Sequence, residues 1–168
     1  MILTGRAIIS AQKKGDIFLS PFCEDQVNPN SYNYRLGNLL KVYQRTENKM
    51  PIFETVVMPE DGYVLQPHTM YLGHTMEVIG SKRYAMSLIG RSSMGRLGLF
   101  LQVSADLGHT TSCHQWTLEL VAAKPIRLYP GMIIGQVTFW DNYGEIYQHP
   151  FTYAKYNLPM QQLKVENL

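Results

Sequence analysis

Apolar and polar positions alternate with a period of two along most of this chain, in short runs broken by glycine or proline. Such runs fit β-strands with one face buried. They are SYNYRLG (31–37), GYVLQPHTMYLGHTMEVI (62–79, read as strand, turn and strand), RYAMSLIG (83–90), LGLFLQVSA (97–105), QWTLELVAA (115–123) and GMIIGQVTFW (131–140). YPGM (129–132) is a turn, because proline presets one torsion and glycine accepts positive φ. TGRAIISAQKK (4–14) reads as a helix: Thr4 suits the N-cap, Lys13 and Lys14 the C-terminal end, and Gly15 stops it. A second short helix or turn is expected to begin near Ser92 or Ser93, serine being a good N-cap. No helix-period segment separates the strands, which argues against a βαβ arrangement. The pattern predicts a mainly antiparallel β domain, sandwich or barrel, with one or two short helices.

Composition narrows the class. At 168 residues the chain fits a single domain over 1–168, long enough to bury about two-thirds of its unfolded surface without staples. Hydrophobic residues make up 45% and charged residues 17%, and eleven tyrosines accompany that low charge. The combination hints at surface buried against other subunits. A net charge of +2 forms no basic stripe for nucleic acid, so any phosphate binding is local. Cys23 and Cys113 make no disulfide framework, which points to a reducing compartment. The N-terminal apolar run is too short for a signal peptide, and no run approaches the ~18 apolar residues of a membrane span. A cytoplasmic protein without a membrane partner is expected. The polar tail from about residue 154 reads as a mobile arm.

Three stretches carry candidate chemistry. GRSSMGRLG (90–98) packs two arginines and two serines into a strand-to-turn junction. A helix start there attracts anions, and an arginine fork adds bidentate charge. If the segment is helical, Ser92 and Arg96 share a face. The alternative is a capped surface turn with two solvated arginines. In WTLEL (116–120), Trp116, Leu118 and Leu120 fall on one face by alternation, with Thr117 and Glu119 on the other. Glu119 is then either a solvent-facing carboxylate or a general acid or base in a cleft. In HTTSCH (109–114), His109, Cys113 and His114 are metal-capable types, but the spacing fits no zinc pattern and a polar loop is favoured.

The ordered set NSYNYRLG (30–37), GRSSMGRLGLFLQVSA (90–105), WTLEL (116–120), IRLYPGMIIGQVTF (126–139) and AKY (154–156) resembles the dCTP deaminase branch of the dUTPase superfamily. Each piece alone is weak and the ordered set is specific. The resemblance implies a distorted antiparallel β-barrel of the dUTPase-like (β-clip) kind, assembled as a homotrimer or a hexamer built from it, with sites between subunits. It implies hydrolytic deamination of a deoxycytidine nucleotide, dCTP most simply, without zinc; the HxE…PCxxC pair of zinc deaminases is absent. By the same resemblance Glu119 is the acid/base that activates water against C4 of cytosine, and Ser92 and Arg96 support that water and the departing amine. Arg91, Ser92, Ser93, Lys155 and Gln161 hold phosphate oxygens, with Mg²⁺ carried by the triphosphate. Val103 and Ala105 frame the base alongside Glu119.

The chain departs from that family in three places. The loop that contacts the sugar, normally Ile-Asp-Pro-Gly-aromatic-x-Gly, is here GHTTSCH (108–114). Gly108 and His109 open it, and Asp, Pro and Gly become His109, Thr110 and Thr111. Asn33 replaces the usual Asp of the SYDxRLG strand, and the tail after AKY lacks a glycine-rich arm. The altered loop leaves open a monophosphate or base-modified substrate. It also leaves open a non-catalytic nucleotide-binding or partner-binding trimer. A dUTP diphosphatase is the third alternative, disfavoured because no carboxylate stands at His109.

Overall fold

The computed structural model of this protein describes residues 1–102 and 104–147. In chain order its elements are α1 (Gly5–Lys14), β1 (Ile17–Ser20), a 3₁₀ turn (Glu24–Gln26), β2 (Tyr32–Arg35), β3 (Leu39–Glu47), β4 (Met50–Val57), β5 (Tyr63–Leu65), β6 (Tyr71–His74), β7 (Val78–Ser81) and β8 (Tyr84–Gly90). There follow α2 (Ser92–Arg96), β9 (Leu99–Leu101), β10 (Leu107–Gly108), β11 (Cys113–His114), β12 (Thr117–Ala122), β13 (Ile126–Leu128) and β14 (Ile133–Asp141). Four antiparallel sheets wrap one core, in the orders β10-β8-β14-β2, β4-β3-β6-β12-β9, β1-β7-β11 and β13-β5. The expected mainly β fold with two short helices is present. Its barrel-like wrap is split among these sheets and does not close into one continuous ladder.

Helix α1 begins and ends as its sequence dictates. Thr4 Oγ1 accepts the Ala7 N–H at 3.4 Å, and Gly15 turns left-handed at φ 75° to return its N–H to Ala11 and Gln12. Ile8 and Ala11 point into the core.

The short strands β1, β10, β11 and β13 were not among the expected ones, and three larger features differ from the hydropathy reading. The β3–β4 hairpin was not among the expected strands. A register shift between Tyr43 and Arg45 interrupts its period-two pattern, and its turn rests on Asn48 and Lys49, both at positive φ. The stretch 62–79 holds three strands rather than two: His68 at φ 62° lies in the turn between β5 and β6, and residues 75–77 separate β6 from β7. The expected strand 97–105 stops at Leu101 because Gln102 turns to φ 50°.

Strand β14 pairs with β2 on one side and β8 on the other, and their inward faces join the core. Tyr32, Tyr34 and Phe139 are fully buried there. Tyr34 donates its hydroxyl to the Ile89 carbonyl at 3.0 Å, and burial pushes its phenol far up from the ordinary value. A Cβ at Gly135 would overlap the Tyr34 ring, so glycine there makes the ring's place. Tyr32, Tyr34, Tyr71 and Tyr84 therefore serve this chain's own core and not the subunit contacts that composition hinted at.

Among the described residues one ion pair has a fully buried partner. Glu77 is 0% exposed, accepts Arg35 Nε at 2.7 Å and the Arg35 backbone N–H at 2.8 Å, and takes a third bond from Gln26 at 3.3 Å. It ties the end of β2 to the segment entering β7. The alternation pattern gave no hint of it.

Candidate functional site

Strand β8 runs out at Gly90, and the arginine–serine block follows at once. The N-cap of α2 is Arg91, extended at φ −88°, rather than a serine; Ser92 and Ser93 are the first two helical residues. The helix starts at Ser92, within the expected range, and one residue earlier than a Ser92 N-cap would allow, because the extended residue that caps it is Arg91. Ser92 and Arg96 share a face as their spacing requires, and both are exposed. Arg91 and Ser93 are half-buried.

Two contacts fix this block against the sheets. The Arg91 N–H reaches the Ile134 carbonyl of β14 at 3.4 Å. A Cβ added at Gly90 would stand 3.3 Å from Leu101 Cδ1, so the chain passes close over β9. Gly98, at φ 91°, then turns α2 into β9, and its carbonyl accepts the Ala123 N–H at 2.8 Å.

Strand β9 pairs with β12 through Leu101↔Leu120, Phe100↔Val121 and Leu99↔Ala122. Leu118, Leu120 and Ala122 enter the core, while Thr117, Glu119 and Val121 face the other way. Trp116 packs on the core, as the alternation predicts, with its indole N–H on the Ile79 carbonyl at 2.9 Å. Glu119 is half-buried in an otherwise apolar strand. Its carboxylate has no hydrogen bond or ion pair with any described residue, and neither have the side chains of Arg91, Ser92, Ser93 and Arg96. Adjoining elements thus carry an unneutralised acid and two unneutralised arginines, though no bond joins them within the chain.

Gln102 is a residue that the sequence pattern did not single out. Its backbone N–H donates to the Glu119 carbonyl at 3.3 Å. Its side-chain Oε1 accepts the Glu119 N–H at 2.8 Å, and its Nε2 donates to the Ala105 carbonyl at 3.2 Å. Ala105 itself is exposed. Val103, Lys155 and Gln161 lie outside the described residues, as does the tail from 154.

The altered loop is a built turn. Gly108 is buried where β10 pairs with β8, and an added Cβ would crowd Met86 and Trp116 at 3.0 and 3.1 Å. His109 is exposed and accepts the Ser112 N–H on its carbonyl. Thr111 stands at φ 75° and exchanges backbone bonds with Ser81 through its own N–H and the Ser112 carbonyl. A β-branched residue is strained at that angle. Thr111 thus keeps a conformation suited to the glycine it replaces. His114 stacks on Trp116 with ring centroids 4.2 Å apart, and burial holds its imidazole below the ordinary value. Next to this loop, the exposed Asp106 accepts the Ser87 hydroxyl at 2.6 Å.

Comparison with known proteins places this geometry. Residues 2–142 match the model of the dCTP deaminase-like family. A protein of Hathewaya histolytica named dCTP deaminase, dUMP-forming, is 41% identical over 162 residues, covering 93% of this chain and 91% of that protein. Proteins of the same name from Clostridium acetobutylicum and Cytophaga hutchinsonii are 43% and 42% identical, over 86% and 89% of this chain and 85% and 91% of theirs. The crystal structure of 2'-deoxycytidine 5'-triphosphate deaminase from Agrobacterium tumefaciens superposes with a TM-score of 0.68 at 22% identity. It covers 84% of this chain, which spans about half (48%) of that longer one, and it speaks for the fold alone. The family match extends over the arginine–serine block, the glutamate strand and the turn between them, and on that ground the chain belongs to the dCTP deaminase-like family.

Proposed function

We propose that this protein is a hydrolase that removes the 4-amino group of a deoxycytidine nucleotide, dCTP in the first instance, and releases ammonia. The observation that carries this reading is the free carboxylate of Glu119 on β12, the partner of strand β9, which directly follows the free arginines and serines of α2. A half-buried acid without a partner costs stability unless a ligand or a second chain completes it.

Each group then has a task. Glu119 takes a proton from water as the oxygen adds to C4, and passes it to N3 of the ring. It next takes the proton of the C4 hydroxyl and delivers it to the amine, which leaves as ammonia while the C4 carbonyl forms. Ser92 and Arg96 hold the water and steady its developing charge. Arg91 and Ser93 bind phosphate oxygens, with Lys155 and Gln161 assigned to the same anion. Ala105 and Val103 frame the base through main-chain groups.

Among the described residues no group of three or more His, Cys, Asp or Glu gathers to hold a metal. We assign a magnesium ion to the triphosphate oxygens, where it would offset phosphate charge. We place the enzyme with the deoxynucleotide pools of the cytoplasm, and read it as a homotrimer with sites between copies. Phe100 and Val121, 46% and 50% exposed and paired across β9 and β12 beside Glu119, support a protein contact at that position.

The second reading concerns the product. The relatives named above bear the words dUMP-forming, and a second hydrolysis at phosphorus needs a group to position its water. His109 supplies no carboxylate there, whereas Asp106, on the same segment, does. Ammonia and pyrophosphate are therefore measured together on dCTP, dCMP and base-modified dCTP with Mg²⁺. Ammonia with dUTP supports simple deamination, ammonia with pyrophosphate and dUMP supports the two-step reaction, and pyrophosphate alone defeats the deaminase reading. Glu119→Gln keeps the shape and removes the proton carrier, so kcat is expected to fall by about 10³-fold or more with little change in nucleotide binding.

A further inference from the structure

We propose that Gln102 is a positioning residue, whose side-chain amide holds the Glu119 strand at a set distance from the segment that frames the base. The inference rests on the reading of Glu119 as the proton carrier. The geometry is specific to this side chain. Strand β9 pairs with β12 only as far as Leu101, and the next regular pairing of that segment is β10 with β8 at Leu107. Between them the ladder is broken by Gln102, a non-glycine residue at φ 50°. Positive φ is uncommon for a glutamine and persists only where surroundings hold it.

The turn brings the amide to a place a strand residue does not reach. Its carbonyl oxygen takes the Glu119 N–H at 2.8 Å, in the place where a β9 carbonyl would have continued the ladder. Its nitrogen gives a hydrogen to the Ala105 carbonyl at 3.2 Å. Gln102 is 9% exposed, so the amide is largely screened from water at its own position. One amide, using a donor and an acceptor at once, thus joins the main chain of the acid/base residue to the main chain beside the base. Proton transfer to a ring nitrogen tolerates errors of only about 0.5 Å in such placement.

Two variants separate the bridge from the backbone strain. Gln102→Gly suits φ 50° and has no side chain; Gln102→Met keeps the bulk and the strain but cannot make either bond. Both are compared with the wild-type protein and with Glu119→Gln by steady-state ammonia release from dCTP, after circular dichroism and thermal melting have established folding. The expected result is a fall in kcat of about 10- to 100-fold in both variants, with KM for dCTP within about threefold. The proposal is overturned if either folded variant keeps kcat within about threefold of wild type, or if the loss falls on KM. If Gln102→Met does not fold, Gln102→Gly decides alone. Turnover by Glu119→Gln at the wild-type rate would instead overturn the reading of Glu119, whatever Gln102 does.

Discussion

Replacing Glu77 by glutamine should be the most damaging isosteric change in the core. Glu77 is wholly buried and takes three hydrogen bonds, two of them from Arg35. Breaking a buried ion pair by removing one partner costs about 3–5 kcal/mol, because the remaining charge stays buried. Two features pull toward the low end. The Arg35 side chain is 27% exposed and regains some hydration, and the new amide still offers one carbonyl oxygen. Against this, the amide nitrogen faces a donor whichever way it turns. Gln26 loses little, since its nitrogen also bonds the Asn33 carbonyl at 2.6 Å. A destabilisation of about 3 kcal/mol is expected. An unfolding entropy of about 2.1 cal/mol/K per residue gives roughly 0.35 kcal/mol/K for this chain, so Tm should fall by about 9 °C. Differential scanning calorimetry at one fixed protein concentration measures it, since self-association makes Tm concentration-dependent. The exposed Glu60→Gln serves as control and should move Tm by no more than about 1 °C. A fall of less than about 3 °C for Glu77→Gln would refute the claim that this pair fastens β2 to the β7 segment.

The other expectations are narrower. Thr111→Gly removes a β-branched residue from φ 75° and should raise stability by about 1 kcal/mol, read as a higher denaturant midpoint at unchanged m-value; a lower midpoint would mean the threonine side chain contributes more than the strain costs. Burial holds His74 and His114 below the ordinary imidazole value, so below about pH 6.5 the unfolded chain binds protons that the folded one refuses. Stability is thus complete above that pH and lost as pH falls, by up to about 1.4 kcal/mol per pH unit for each ring; His74→Gln and His114→Gln should each flatten the dependence of Tm on pH between 7.5 and 5.5, and an unchanged slope would count against the assignment. Arg91→Ala should raise KM for the triphosphate about tenfold while kcat stays within about threefold, because a phosphate clamp acts alike in ground and transition states; equal losses in kcat and kcat/KM would move Arg91 from binding to chemistry.

Local rules were enough for α1, whose cap, length and stop follow from Thr4, the lysines and Gly15. They were enough for β8 and β12, where alternation survives intact, for β14 beyond its register shift at Ile133–Gly135, and for the face on which Glu119 stands. The adjacency of Ser92 and Arg96 also follows from helical spacing alone. What failed were places where the backbone leaves its period. A register shift hid β3 and β4, and positive φ at His68 and Gln102 cut strands that hydropathy alone would continue. Alternation records which face a side chain takes, and a single left-handed residue or bulge erases that record without leaving a glycine to mark it.

The buried Glu77–Arg35 pair and the Gln102 bridge were illegible for a different reason. A glutamate or glutamine in a list of residues says nothing about which distant chain it meets, and these contacts span 42 and 17 residues. Sequence determined the period-two strands, the ends of α1, the family and the identity of the chemical groups, because those depend on neighbours within a turn or on motifs kept in order. Tertiary structure alone decided that α2 passes over β9, that Arg91 and not a serine caps it, and that Glu119 remains free while Glu77 is neutralised. Those outcomes depend on which strands pair, and pairing is set by burial of the whole core rather than by any one stretch of the chain.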